Sequence, residues 1–349
     1  MEYQQFVDDV RDCISIKIED GYEVKVNRVM KNNSVELDGI VFFKSGDTIS
    51  PNIYLNQYYL RYQEGEPLET IADDIISTYE YSMREQAKEY GDLTFTFEQF
   101  KDNIIYRVVN YNQNKVLLES VPHVRFLDLA ITFHCLVKQD QLGIGTIRLT
   151  NEHKELWNLT VKELMRLASE NTERLFPMKI STMEEVLAEL FHKEWVSGEK
   201  EEVDELVRDL DSNFELLKEV QEESEQAEDD ILDGRDEYTE EMLEAMLSDM
   251  MQNQKAPKMY ILTNSVGING ATAMIYRDAI RNFADKLETD FYILPSSIHE
   301  VILVPYENSL SREELKDMVG EVNCTQVPVE EVLSNRVYIY RRKTNMIEI

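Results

Sequence analysis

Tyr292-Ile-Leu-Pro-Ser-Ser-Ile-His-Glu-Val-Ile-Leu-Val-Pro305 is the densest run of strand signal in the chain. Two apolar, β-prone runs, Phe291–Leu294 and Val301–Val304, flank a polar corner, Pro295-Ser296-Ser297. His299 and Glu300 stand just beyond that corner. Ala271 to about Leu287 before it reads as a helix, bent or straight, and Lys258–Asn264 as a strand. After it, Ser311-Arg-Glu-Glu314 is a capping box that starts a helix over 315–322. A short helix is expected over 329–333 and a last strand over 337–340.

Strands and helices alternate in the same way upstream. Ile104–Asn110, Val116–His123, Phe126–Val137 and Gly143–Thr150 read as strands, and links this short exclude crossovers, so the sheet is antiparallel. Leu159–Leu175 reads as a helix, with Val161, Leu164, Leu167 and Ala168 facing in, and Thr182-Met-Glu-Glu185 caps another. At the N-terminus, a helix over 6–18 precedes a hairpin of Tyr22–Val29 and Ser34–Phe43 about the turn Lys31-Asn-Asn33. Pro51 signals a helix start, and Leu68 to about Tyr90 a long helix. The expected fold is therefore α+β, a mixed and largely antiparallel sheet with packed helices and an acidic helical insert. Two lobes are expected, 1–90 and 91–349, the second interrupted by the insert at about 196–254.

The insert is defined by charge. The 349 residues carry 68 acidic and 36 basic side chains, a net of −32. Residues 194–250 alone hold 23 Asp/Glu against 4 Lys/Arg, a net of −19. Val203, Leu206, Val207, Leu210, Phe214, Leu217 and Val220 keep a helical apolar stripe through it, which predicts acidic amphipathic helices. Such a balance argues against direct contact with nucleic-acid phosphates or an anionic membrane, both of which need Lys/Arg. It suits a basic protein partner or simple solubility. Cys13, Cys135 and Cys324 are too scattered for a disulfide framework or a zinc ribbon. Met1–Phe6 is polar and acidic, unlike a signal peptide, and no apolar run reaches the ~20 residues of a membrane span. The expected compartment is the cytoplasm, with reduced thiols.

Several residues invite chemistry. His299 is a candidate general base, with Ser296 or Ser297 as nucleophile and Glu300 as orienting acid. Against this, neighbouring strand residues point to opposite faces, and hydroxyls at a corner commonly serve the backbone. His123, His134 and His299, with Cys135, would bind a metal only if the strands brought them together, since no tight ligand spacing occurs. Asp229–Glu240 fits a calcium loop in part, with Gly234 at position six but Ile231 at position three. Ser265–Ala271 could present amides to an anion, but lacks a phosphate-binding lysine. Met242, Met246 and Met250 form a soft apolar stripe, and Glu223, Asp229 and Asp230 the acidic surface beside it. Together they are the expected surface for a basic partner. No cofactor is expected.

Five segments carry a resemblance: Ile49-Ser-Pro-Asn-Ile-Tyr-Leu55, Leu68-Glu-Thr-Ile-Ala72, Val121-Pro-His-Val-Arg-Phe-Leu-Asp-Leu129, Leu262-Thr-Asn264 with Asn269-Gly-Ala271, and Leu294-Pro-Ser-Ser-Ile-His-Glu-Val301. On them the chain resembles an uncharacterised family of bacterial proteins, a domain of unknown function, over most of its length except the acidic stretch. In order of elements alone it is similar to a second uncharacterised family, from Gram-positive bacteria. Neither resemblance implies an activity, a cofactor or a catalytic residue. The expected role is a non-enzymatic interaction or regulatory protein, with mimicry of nucleic-acid charge as a special case. The rival is a hydrolase centred on His299.

Overall fold

The computed structural model describes residues 2–44, 50–90, 95–140, 143–183, 258–306 and 310–349, with 185, 186 and 189. The chain forms two compact units, Met1–Gln99 and Phe100–Ile349.

In the first unit, α1 (Tyr3–Lys17) turns Phe6, Val7, Val10 and Ile14 inward at helical spacing. The hairpin of β1 (Tyr22–Met30) and β2 (Glu36–Lys44) pairs in unbroken register from Tyr22↔Lys44 to Met30↔Glu36. Its turn uses Asn33 at φ 56, a left-handed value that asparagine tolerates. Pro51 does not open a helix. It precedes a three-residue strand, β3 (Asn52–Tyr54), which pairs at the free side of β2, and α2 (Asn56–Gln63) starts only afterwards. Lacking an N–H, proline suits the entry to an edge strand as well as a first helical turn. The long helix α3 (Leu68–Tyr90) then buries Ile71, Ala72, Ile75 and Tyr79, and the Tyr79 ring stacks on Phe42 at 4.2 Å.

A single turn, α4 (Phe97–Phe100), leads into the second unit. Here β4 (Ile104–Asn110) lies beside the long β6 (Leu129–Asp140). On β6's other side sit β5 (His123–Phe126) and β7 (Gly143–Arg148). Two sequence expectations change. Lys115–Ser120 is a helix, α5, that buries Leu118, with Val121 buried just beyond it. A short apolar run cannot be assigned by periodicity alone. The expected strand over 126–137 is also two strands, folded back at Leu127 (φ 55) and Asp128.

Two helices follow, α6 (Asn151–Leu156) and α7 (Val161–Leu175), each opened by a threonine in a reciprocal capping box. Leu164 and Ala168 of α7 are buried as expected; Asn171 and Thr172 are buried too, and both are used. Asn171 Nδ2 donates to the carbonyls of Lys101 and Ile104. Thr172 Oγ1 accepts the Tyr106 N–H at 3.0 Å. Thr272 Oγ1 accepts the Val108 N–H at 3.4 Å. Hydroxyls thereby occupy the outer edge of β4, where a neighbouring strand would otherwise pair.

The second sheet has six antiparallel strands in the order β13-β12-β10-β11-β9-β8. They are β8 (Met178–Thr182), β9 (Tyr260–Asn264), β10 (Phe291–Leu294), β11 (Val301–Pro305), β12 (Tyr338–Arg341) and β13 (Met346–Glu348). β8 and β13 had not been expected. The Thr182–Glu185 box is formed, each backbone N–H reaching the other side chain. The helical segment over 271–287 is bent: a 3₁₀ stretch over Gly270–Ile275 meets α8 (Arg277–Leu287) at Tyr276. α9 (Arg312–Thr325) packs Leu315 and Val319 onto Tyr292, Val304 and Ile339. The expected helix over 329–333 is absent. That segment is a strap whose backbone serves the corner at 295–299. The observed architecture is α+β with antiparallel sheets. The expected acidic helices at 196–254 lie outside the described residues. Among the described residues, no helix is long and apolar enough to cross a membrane.

Candidate functional site

The corner after β10 is built by backbone pairing with the strap. Ser334 N–H donates to Pro295 O, Leu333 N–H to Ser296 O, and Ile298 N–H to Glu331 O, at 2.8–2.9 Å. The strap is anchored in turn by Asp128, at the β5–β6 turn. Its two carboxylate oxygens accept from Ser334 Oγ and Tyr338 Oη, both at 2.7 Å. Asn110 Nδ2 donates to Leu333 O and Asn323 Nδ2 to Ser334 O. Burial drives the Tyr338 phenol well above its ordinary value, with Asp128 adding in the same direction. It therefore stays a donor. The segments Val121–Leu129 and Leu294–Val301, far apart in sequence, are thus joined through one strap.

His299 lies at the end of this corner with its side chain 29% exposed. Its Nδ1 accepts the Asn269 N–H at 3.3 Å. That fixes the ring proton on Nε2, which faces Glu331 Oε1 at 3.4 Å. The orienting carboxylate is Glu331 of the strap, and not the adjacent Glu300. Ser297 Oγ accepts the His299 backbone N–H, and Ser296 offers its carbonyl to Leu333. Neither serine hydroxyl reaches the ring among the described residues. With Nδ1 taken by an amide and Nε2 turned to a carboxylate, the imidazole is posed to hold the corner, and a hydroxyl awaiting deprotonation has no free nitrogen to meet. Glu300 keeps solvent contact. The protein mass around it raises its carboxyl above the ordinary range, His299 pulling it down and Glu331 pushing it up.

The loop leading to Asn269 explains why the corner closes so tightly. Asn264 Oδ1 accepts the N–H groups of Val266 and Gly267, and its Nδ2 donates to Ile268 O. Those amides are committed within the loop, which leaves them unavailable to an anion. Asn269 is left-handed (φ 53). Gly270 then passes so close to the corner that a Cβ there would stand 2.5 Å from His299 O and 2.7 Å from Asn264 N.

The other histidines serve elsewhere. His123 Nδ1 donates to Val121 O at 3.0 Å. His134 is buried on β6, its Nε2 3.1 Å from Thr132 Oγ1. Burial holds its imidazole well below the ordinary value, helped by Arg107 and Arg148, so it is neutral. Cys135, one residue on, faces the opposite side, and burial pushes its thiol up to about 12. No three His, Cys, Asp or Glu side chains gather to hold a metal among the described residues. Met242, Met246, Met250, Glu223, Asp229 and Asp230, and the calcium-like loop at 229–240, lie outside the described residues.

One group went unnoticed in the sequence. A small recess, with about 10 Å³ of enclosed space, opens at the edge of β4. It is lined by Arg107, Asn264, Asn269, Ile105, Ile268 and Tyr276, among others. The available signal was a lone arginine inside an apolar strand, Ile104-Ile-Tyr-Arg-Val-Val109.

A family model described as a family of unknown function (DUF5688) matches residues 3–342, and the chain belongs to that family. Searches of curated proteins and of solved structures find no match.

Proposed function

We propose that this family member is a non-enzymatic interaction protein of the bacterial cytoplasm that holds a basic protein partner through its acidic segment. In the sharpest form of the proposal the segment stands in for nucleic-acid charge and occupies a DNA-binding protein. The observation that carries the reading is the concentration of charge: a net of −19 within residues 194–250, out of −32 for the chain. Carboxylates at that density attract a basic surface and repel phosphate. Met242, Met246 and Met250 would supply adaptable apolar contact beside Glu223, Asp229 and Asp230. The free thiols of Cys13, Cys135 and Cys324 suit a reducing compartment.

The test is a pull-down at low and high salt with the full chain and with a version carrying a Gly/Ser linker in place of 196–254. The Debye length falls from about 10 Å at 0.1 M to about 3 Å at 1 M ionic strength, so a partner held by charge is released. A partner bound only by the full chain and lost in salt is the expected result. Equal capture by both versions, or capture indifferent to salt, would overturn the proposal. A second reading, a hydrolase centred on His299, draws on the half-exposed His299–Glu331 pair at 3.4 Å. An esterase or phosphatase activity abolished by His299→Ala in a folded protein would establish it, and silence across a broad screen would dismiss it.

A further inference from the structure

We propose that the recess at Arg107 is an oxyanion site, taking the carboxylate or phosphate group of a small ligand through the Arg107 guanidinium and the Asn269 side-chain amide.

The placement comes from the register of the first sheet in the second unit. Arg107 on β4 pairs with Thr132 on β6. In the adjoining row, Ile105 pairs with His134, and His134 with Arg148 on β7. Paired residues, and residues two apart, share a face of a sheet. Arg107, Thr132, His134 and Arg148 therefore project from the same side. Burial and two arginines keep His134 neutral, so the charge of this face is carried by guanidinium groups.

Arg107 differs from the paired arginines of this chain. Arg61 meets Glu66 and Asp74, and Arg341 meets Asp290 and Glu348. Arg107 is partly buried, and its guanidinium has no carboxylate and no hydrogen-bond acceptor among the described residues. Burial, with Arg148 adding to it, pushes the group down to about 10, which still leaves it charged at neutral pH. A partly buried charge without a partner gives up some of its hydration, and a chain with 68 carboxylates had ample means to pair it. The same recess holds a second idle donor. The Asn269 backbone is fixed by His299 and by its left-handed turn, while its side-chain amide makes no hydrogen bond among the described residues.

Donors therefore converge without acceptors, between apolar walls at Ile105 and Ile268. A guanidinium fork matches two oxygens of either a carboxylate or a phosphate, and such charge-assisted bonds are stronger than neutral ones. The enclosed space, about 10 Å³, is that of a single water, so one oxygen of such a group would enter beside Arg107 and the rest of the ligand would lie in solvent.

The experiment is calorimetric titration and thermal unfolding of the full-length protein with inorganic phosphate and with acetate, ionic strength held constant with chloride. Saturable binding of at least one anion is expected. Phosphate alone would assign a phosphate ligand, acetate alone a carboxylate, and both a general oxyanion site. Arg107→Gln is expected to weaken binding by about ten-fold or more. Asn269→Ala should weaken it less, and Arg166→Gln, an exposed arginine paired with Glu170, should leave it unchanged. Should Arg107→Gln fail to fold, Asn269→Ala decides, because it leaves the charge in place. Absence of saturable binding by the wild type overturns the proposal, as does affinity unchanged in Asn269→Ala and in any folded Arg107→Gln.

Discussion

Replacing Gly270 with alanine would drive a methyl group into the joint between the Asn264–Gly270 loop and the His299 corner. The new carbon would lie 2.5 Å from the His299 carbonyl oxygen and 2.7 Å from the Asn264 nitrogen, with Thr263 Oγ1 nearer still. Two of these three atoms are backbone, held by the strap and by β9, and cannot swing aside. Overpacking of this kind costs about 1–3 kcal/mol. Relief by moving Thr263 would break its hydrogen bond to His299 O, now 2.9 Å, for about 1 kcal/mol more. The stiffer unfolded chain returns about 0.4–1 kcal/mol, leaving a net loss of roughly 1–3.5 kcal/mol. Trp157 belongs to the second unit, so urea unfolding followed by its fluorescence reads the right region. Thr263→Ala removes only the side-chain obstruction, so the double variant should remain at least about 1 kcal/mol less stable than Thr263→Ala alone. Full recovery in the double variant, or a single variant within about 0.5 kcal/mol of wild type, would refute backbone crowding as the reason for glycine here.

Two further outcomes follow from buried polar groups. Tyr338→Phe removes one of the two hydroxyls donating to Asp128 and should destabilise the second unit by about 1–3 kcal/mol, measured in the same urea assay. His134 is held neutral when folded, so the unfolded chain binds the extra proton; its contribution is complete above about pH 6.5 and is lost as pH falls below that value. Between pH 7.5 and 5.5 the loss should be about 1.4 kcal/mol, and a His134→Asn variant should lack that component of the pH dependence.

Local chemistry was legible where it acted locally. The β1–β2 hairpin, the capping boxes at Thr182 and Ser311, and the apolar face of α3 all follow from residues within a few positions of one another. The misreadings have a common cause. Val116–Ser120 is helical because tertiary packing of Leu118, with Val121 beyond it, settled an ambiguous run. Residues 329–333 form a strap because the corner at 295–298 offers them backbone partners. Glu300 was the obvious carboxylate for His299 in sequence, whereas Glu331 arrives from 32 positions away. Arg107 was passed over for the same reason. A charged residue in an apolar strand is ordinary until the register shows Thr132, His134 and Arg148 on its face and no carboxylate among them.

The order of the six-stranded sheet has a consequence for how the chain is made. β8 leaves the ribosome early, and β9, its one neighbour in the finished sheet, follows after residues 183–259, 77 in all. At about 5–20 residues per second, that gap lasts roughly 4–15 s, during which β8 waits for β9, its partner among the described residues. An unpaired strand in that interval is open to pairing with another nascent copy. The residues translated during the wait are the most acidic in the protein. Adjacent nascent chains would each carry the same negative stretch, and like-charge repulsion between them is expected to oppose such pairing.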